Sequence, residues 1–201
     1  MDSNYNTNTG WLCLDFANTV DWHASAHPVE SITNFTDLLE WSKQVGIVST
    51  EVADSLIHKG QEKGKEAQTT LHKAKELREA MYQIFSNVTH QQPISTNDLN
   101  ILNKAIATML YHSRLTPHDG GFTWDWDDNT DKLNYILWPI VRSAVDLMTS
   151  KALQRVGQCA DEQGCGWLFW DSSRNRSRRW CDMKDCGNRA KVRRFYKRSK
   201  G

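Results

Sequence analysis

Of the five cysteines in the 201-residue sequence, four crowd into its C-terminal end: Cys159, Cys165, Cys181 and Cys186. Their spacing is C-x5-C, fifteen residues, then C-x4-C. Clustered thiols in a reducing compartment serve more often as metal ligands than as disulfides. Four thiolates around Zn²⁺ make a closed tetrahedral site with no open position for water or substrate. The expected cofactor is therefore one structural zinc ion. Disulfides and free thiols are the alternative states of the same residues, and a redox switch that releases zinc is a variant of the first.

The residues between the cysteines outline the frame. Gly164-Cys165-Gly166 reads as a flexible knuckle whose amides could donate to a thiolate sulfur. Trp167-Leu168-Phe169-Trp170 reads as an aromatic strand, Asp171–Asn175 as a turn, and Arg178-Arg179-Trp180 as the return to Cys181. The breaker-free run 189–198 reads as a helix. Knuckle, hairpin and helix make a treble-clef-like zinc finger, too short to fold without its metal. On the helix, Val192, Phe195 and Ser199 are expected to face the hairpin aromatics. Arg189, Arg193, Lys197 and Lys200 make a basic stripe, widened by Lys191, Arg194 and Arg198, with Arg174, Arg176, Arg178 and Arg179 on the hairpin turn. Such a surface suits a phosphate track. Trp167, Trp170 and Trp180 could stack on bases, but in so small a finger they are expected in its core.

Charge is divided accordingly. The sequence is +1 overall, with 25 Lys and Arg against 24 Asp and Glu. Residues 1–150 carry −8 and residues 151–201 carry +9. Four zinc-bound thiolates and the metal would lower the latter to about +7, which leaves the excess in place. An acidic body bearing a basic nucleic-acid-binding or membrane-surface module is the implied organisation. No apolar run reaches the roughly 20 residues of a membrane span, and the start lacks the pattern of a signal peptide, so a cytoplasmic protein is expected.

The segment Cys165-Gly166-Trp167-Leu168-Phe169, with Asp171, Ser173-Arg174-Asn175, Arg178-Arg179-Trp180-Cys181, Met183 and Cys186-Gly187-Asn188-Arg189, resembles the CGNR zinc finger. Gly10–Thr19 (Gly-Trp-Leu-Cys-Leu-Asp-Phe-Ala-Asn-Thr) resembles the opening of the ABATE domain that usually precedes it. The resemblance spans nearly the whole chain. It implies a bacterial, stress-related transcription regulator, with zinc on Cys159, Cys165, Cys181 and Cys186 and nucleic-acid contact by the basic finger.

The remaining sequence must position this finger. Apolar periodicity predicts helices over 31–46, 49–63, 65–89 and from Ser95, where Ser95 and Asp98 resemble a capping box. A β-hairpin is expected within 111–128, and a long helix over 131–157 that Pro139 kinks or begins. Segment 10–22 fits a strand or a helix. The expected fold class is α+β: a mainly helical domain over 1–152 with a small β-hairpin or sheet, then a zinc finger over 153–201.

Other residues offer weaker chemistry. Asp15 and Asn18 either tie the polar leader down or line an effector pocket. His23 and His27, after Asp21, could share a helix face and a metal. Asp125, Asp127 and Asp128 could hold a cation but read better as an acidic strand end. Cys13 could sense oxidants but reads as a small buried residue. No phosphate loop, nucleophile elbow or Rossmann fingerprint is present, which argues against an enzyme. The leading expectation is a DNA-binding regulator whose body dimerises or binds a small effector. The alternatives are RNA binding, and a protein-interaction module whose finger docks an acidic surface, even its own body.

Overall fold

The structure is a computed structural model that describes residues 9–126, 132–161 and 163–199. Asp127 and Asp128, part of the candidate cation site, and Lys200 of the basic stripe lie outside the described residues; Asp125 pairs with Arg114 at 3.1 Å. The architecture is α+β and mainly helical, with three two-stranded antiparallel sheets.

The ambiguous opening segment 10–22 holds both states: a first helix, α1 (Leu12–Ala17), and extended chain at Val20–Asp21. Cys13, Leu14, Phe16 and Ala17 are almost fully buried on α1. A minimal sheet follows, β1 (Val20–Asp21) against β2 (Val29–Glu30). Next come α2 (Phe35–Gln44), α3 (Thr50–Glu62), α4 (Gly64–Thr89) and α5 (Thr96–Tyr111). Their starts are written locally. The Asn34 side chain accepts from the Asp37 N–H and Asp37 reciprocates, a complete capping box. Ser49 and Ser95 cap α3 and α5 by accepting from Val52 and Asp98. Along α4, Ala74, Leu77, Met81, Ile84 and Phe85 recur at helical spacing and bury against the other helices.

A hairpin of β3 (Ser113–His118) and β4 (Gly121–Trp126) then leaves the body. Its turn, Asp119-Gly120, holds both residues at positive φ, +40° and +79°, as a two-residue type I′ connection requires. The long helix expected over 131–157 is shorter. Helix α6 runs Trp138–Met148 because Pro139 occupies its first turn, where a missing N–H costs nothing. Ser150 ends it by capping a separate 3₁₀ turn, Lys151–Arg155.

The finger contains β5 (Val156–Gln158), β6 (Leu168–Trp170), a π-type turn at Met183–Gly187 and α7 (Asn188–Ser199). The partner of β6 is β5, ahead of the first cysteine, and not the return segment 178–180. The physical reason is Asp171. Its carboxylate accepts the N–H groups of Ser173 at 2.8 Å and Arg178 at 2.9 Å, which gathers 171–178 into a loop and holds its own pKa below the ordinary carboxylate range. Leu168 is fully buried in the main core, so the finger strand completes the hydrophobic centre of the body.

Beneath the finger, the Arg78 guanidinium is almost fully buried and forms a two-pronged pair with Glu30 at 2.7 Å on each side. It also donates to Thr19 and Glu79. Burial alone would raise the Glu30 carboxyl, but the hydrogen bonds and charge of Arg78 outweigh it and hold Glu30 below its ordinary value. A carboxyl depressed in the folded state adds stability above its unfolded pKa, lost as pH falls through the folded one. Arg78→Ala is expected to cost about 3 kcal/mol or more in urea denaturation, since it strands a half-buried carboxylate. The same substitution should flatten the loss of stability below pH of about 4.

Candidate metal centre and basic finger

The four sulfurs predicted as ligands converge. The Sγ atoms of Cys159, Cys165, Cys181 and Cys186 all lie within 4.8 Å of one another. The separations Cys165–Cys181 and Cys181–Cys186 are both 3.6 Å. A disulfide needs about 2.05 Å, whereas a tetrahedron with Zn–S of 2.3 Å has edges of about 3.8 Å. All four thiols are free, which is the donor set and shape of a single structural zinc site. The electrostatics agree. Hydrogen bonds from the Cys165 and Cys181 thiols favour a thiolate at Cys159. Hydrogen bonding to Cys159 pushes Cys181 up, and burial pushes Cys186 up, both reinforced by neighbouring sulfur charge. One thiolate is cheap in this frame and four are not; a divalent cation removes that penalty.

The knuckle is clamped, not flexible. The Gly164 amide donates to Asp161 O at 2.9 Å and not to a sulfur. The knuckle turns its carbonyls outward to the body. Gly164 O accepts from Ala24 N at 3.1 Å and Cys165 O from His23 N at 3.0 Å. Gly166 O accepts from the Tyr82 hydroxyl and from Gln158 Nε2, both at 3.1 Å. Gly166 sits at φ +68°, and a Cβ there would stand 2.6 Å from Ala24 Cβ and 2.8 Å from the Tyr82 hydroxyl. Glycine is thus required both by its left-handed backbone and by the close approach.

Asn18 makes the most direct tie. Its Nδ2 donates to Leu168 O and its Oδ1 accepts from Leu168 N, both at 2.8 Å and both buried, so one side chain imitates a neighbouring strand on the open edge of β6. Asp15 accepts from the Thr9 N–H at 3.1 Å, and burial raises its carboxyl. The cavity beside Asn18 is about 70 Å³, far below the roughly 300 Å³ of a small-molecule pocket. In the structure both residues act as ties, Asn18 to β6 and Asp15 to Thr9. His23 and His27 are not on one helix face, because 22–28 is bends and turns. The His23 ring stacks on Tyr82 at 3.5 Å with Nε2 2.8 Å from Glu79, while His27 is exposed. Cys13 is fully buried and its thiol is pushed up to about 12, a protonated core residue at neutral pH.

The predicted cations divide into two groups. Three are used internally. Arg189 donates to Cys186 Sγ at 2.8 Å and to Asp161 Oδ2 at 3.2 Å, pairs with Asp185, and lies 4.8 Å over the Trp22 ring. Arg193 pairs with the same Asp161, whose side chain is fully buried. Arg178 donates to the carbonyls of Trp180 and Cys181 and covers the Phe169 ring. Arg179 is exposed and lies 5.4 Å over Trp180. Among the described residues, Arg174, Arg176, Lys191, Arg194 and Arg198 are exposed and make no ion pair, and Lys197 is exposed beside them in sequence.

Helix α7 differs from expectation on its apolar side. Val192, Phe195 and Tyr196 are 54%, 68% and 61% exposed, and α7 buries no residue. The hairpin aromatics are already covered. Trp167 donates to Val20 O at 2.9 Å, Trp170 donates to Ala152 O at 3.2 Å, and Trp180 packs on the cysteines. The helix is held instead by Cys186 and by the Asp161 pairs. Asp161 escaped the sequence reading, although its place two residues after a ligand and the i, i+4 spacing of Arg189 and Arg193 signalled it.

Each residue at 186–189 therefore has a structural task. Cys186 faces the other sulfurs; Gly187 lets its N–H close the π-type turn on Asp182 O at 3.0 Å; Asn188 Nδ2 holds Lys184 O at 2.8 Å; Arg189 reaches the sulfur and the knuckle carboxylate. The CGNR zinc finger model matches residues 155–199. Residues 10–151 match the ABATE model, described as "Putative stress-induced transcription regulator". The chain belongs to the ABATE family. No curated protein matches it. In this ABATE protein the two family segments share a core through Leu168 and hydrogen-bond through Asn18, Tyr82 and Trp167.

Asn18→Ala should orphan two buried backbone groups and cost about 2–3 kcal/mol, read as a lowered melting temperature with faster hydrogen exchange at Leu168. Elemental analysis should find one zinc per chain. Chelation should open exchange in 159–187 while the α2–α5 helices persist, and zinc retention should weaken as pH falls because thiolates must compete with protons.

Proposed function

We propose that this protein is a zinc-stabilised, DNA-binding transcription regulator, with α7 and the 174–176 loop as the contact surface. The observation that carries the reading is α7 itself. It has six cations, no acidic residue and no buried residue, yet it is pinned in one orientation by Arg189, Arg193 and Cys186. A helix with no role in the core and a uniform positive charge suits the phosphate backbone, which rewards fixed cations by counterion release. Zinc, where bound, supplies the fixed angle between the knuckle and α7 and takes no part in chemistry, because a closed four-sulfur frame leaves no open coordination position. The family descriptions, a regulator and a zinc finger, agree with a non-enzymatic role.

The acidic body serves this reading in one of two ways, by self-association or by binding a small effector. One space open to an effector is a groove of about 350 Å³ between α4, α5 and α6, lined by Leu77, Trp138 and Val141 together with Lys73 and Lys104. A second reading is favoured by the exposed Phe195 and Tyr196, which could stack on unpaired bases of RNA or single-stranded DNA.

Replacing Lys191, Arg194 and Arg198 together with alanine should leave the melting temperature unchanged. The same change should flatten the log–log salt slope of duplex binding by about 3. Arg189→Ala should instead lower zinc retention and stability. Failure of the zinc-loaded chain to bind any duplex at low salt overturns the proposal, and preference for single-stranded competitor selects the second reading.

A further inference from the structure

The β3–β4 hairpin has a strict division of faces. Its register places Ser113, Leu115 and Pro117 opposite Trp126, Trp124 and Phe122 on one face. The other face carries Arg114, Thr116 and His118 opposite Asp125, Thr123 and Gly121. Side chains alternate with a period of two, so an apolar face of this regularity belongs against something dry. Among the described residues, only its base has cover. Trp126 packs on the body core, and Trp124 lies under Arg142 of α6 at 4.7 Å from its ring centroid. Farther out, Leu115 is 58% and Phe122 76% exposed, and Pro117 is exposed between them. An isolated two-stranded hairpin is at best marginally stable in water, and both outer edges of this sheet are unpaired among the described residues.

We propose that the apolar face of this hairpin is a self-association surface that packs against the same face of a second copy of the chain. The proposal rests on the self-association reading of the body given above. The occupant is identified by charge. None of the strand residues on this face is charged, and Arg142, which lies over Trp124, is already paired with Asp146, so a partner recognised through acidic or basic groups would find little there to pair with. The other exposed apolar row, Val192, Phe195 and Tyr196 on α7, is flanked by Lys191 and Arg194, whose charges would be desolvated on the hairpin without partners. An identical hairpin presents an uncharged apolar surface of the same size. An isologous two-fold contact is the commonest way for a surface to cover itself.

The area is sufficient for a reversible dimer. With aromatic residues offering about 150–250 Å² each, the exposed parts of Leu115, Pro117, Phe122 and Trp124 come to roughly 450 Å² per copy. Two copies would remove roughly 900 Å², at the low end of specific interfaces, which corresponds to weak, concentration-dependent association. The polar edge of the hairpin stays wet, with its Arg114–Asp125 pair intact. Two fingers on one two-fold particle would double the phosphate contacts available to a single finger and fix the spacing of the two half-sites.

Sedimentation velocity of the zinc-loaded full chain, without nucleic acid and across the micromolar range, tests the surface. The expected result is a reversible shift from monomer to twice the monomer mass. Leu115→Asp with Phe122→Asp should hold the chain monomeric at every concentration with an unchanged helical circular-dichroism signal. Thr123→Asp, on the polar face, should dimerise like the wild type and controls for damage to the hairpin. A wild type that stays monomeric, an apolar-face variant that still dimerises, or a polar-face variant that abolishes association as fully would each overturn the proposal. A dimer without duplex affinity would instead overturn the DNA-binding reading and leave the surface standing.

Discussion

Four sulfur atoms held within 4.8 Å of one another, without a bond between any two, set the terms for the rest of this molecule. Thiolates packed so closely repel, and as neutral thiols they make only weak hydrogen bonds. A divalent cation at the centre removes that repulsion, and zinc matches both the size and the donors of the frame. Because Cys159, Cys165, Cys181 and Cys186 come from a strand end, a knuckle, a return loop and a helical turn, that one constraint fixes four backbone segments at once. The finger has little apolar surface of its own to do this. Its helix buries nothing, and its strand buries Leu168 into the neighbouring domain.

The second source of order is the body's hold on the knuckle. Backbone amides of His23 and Ala24, the Tyr82 hydroxyl and the Asn18 carboxamide all reach finger carbonyls or amides. These bonds are short-range and directional, so the finger does not swing on a linker. The surface cations of α7 consequently have a defined place relative to the acidic body. The frame and the clamp also share residues. Cys165 contributes its sulfur to one and its carbonyl to the other, so distortion of the metal frame is felt directly by the loop at 22–25.

Arginine does two jobs in the finger, which explains why a count of basic residues overstates the contact surface. Arg189 and Arg193 neutralise the buried Asp161, and Arg178 satisfies carbonyls that the loop leaves without partners. Guanidinium suits such places because its planar fork meets several acceptors together. The cations left to solvent are fewer, but the internal ones hold them still.

The sequence by itself determined the metal frame, the family and most helix boundaries. Cysteine spacing, capping residues and apolar periodicity act within a few residues of chain, so they are legible without a fold. The charge division was legible for the same reason, since it needs only counting. What tertiary structure alone decided were the long-range pairings: β6 with β5 instead of the return segment, Asn18 with Leu168 across 150 residues, Asp161 with α7, and the exposure of Phe122 and Phe195. An Asn or an Asp carries the same donors and acceptors whether it lines a pocket or replaces a strand. Only the groups that the fold brings within 3 Å select between the two, and no local pattern in the chain contains that information.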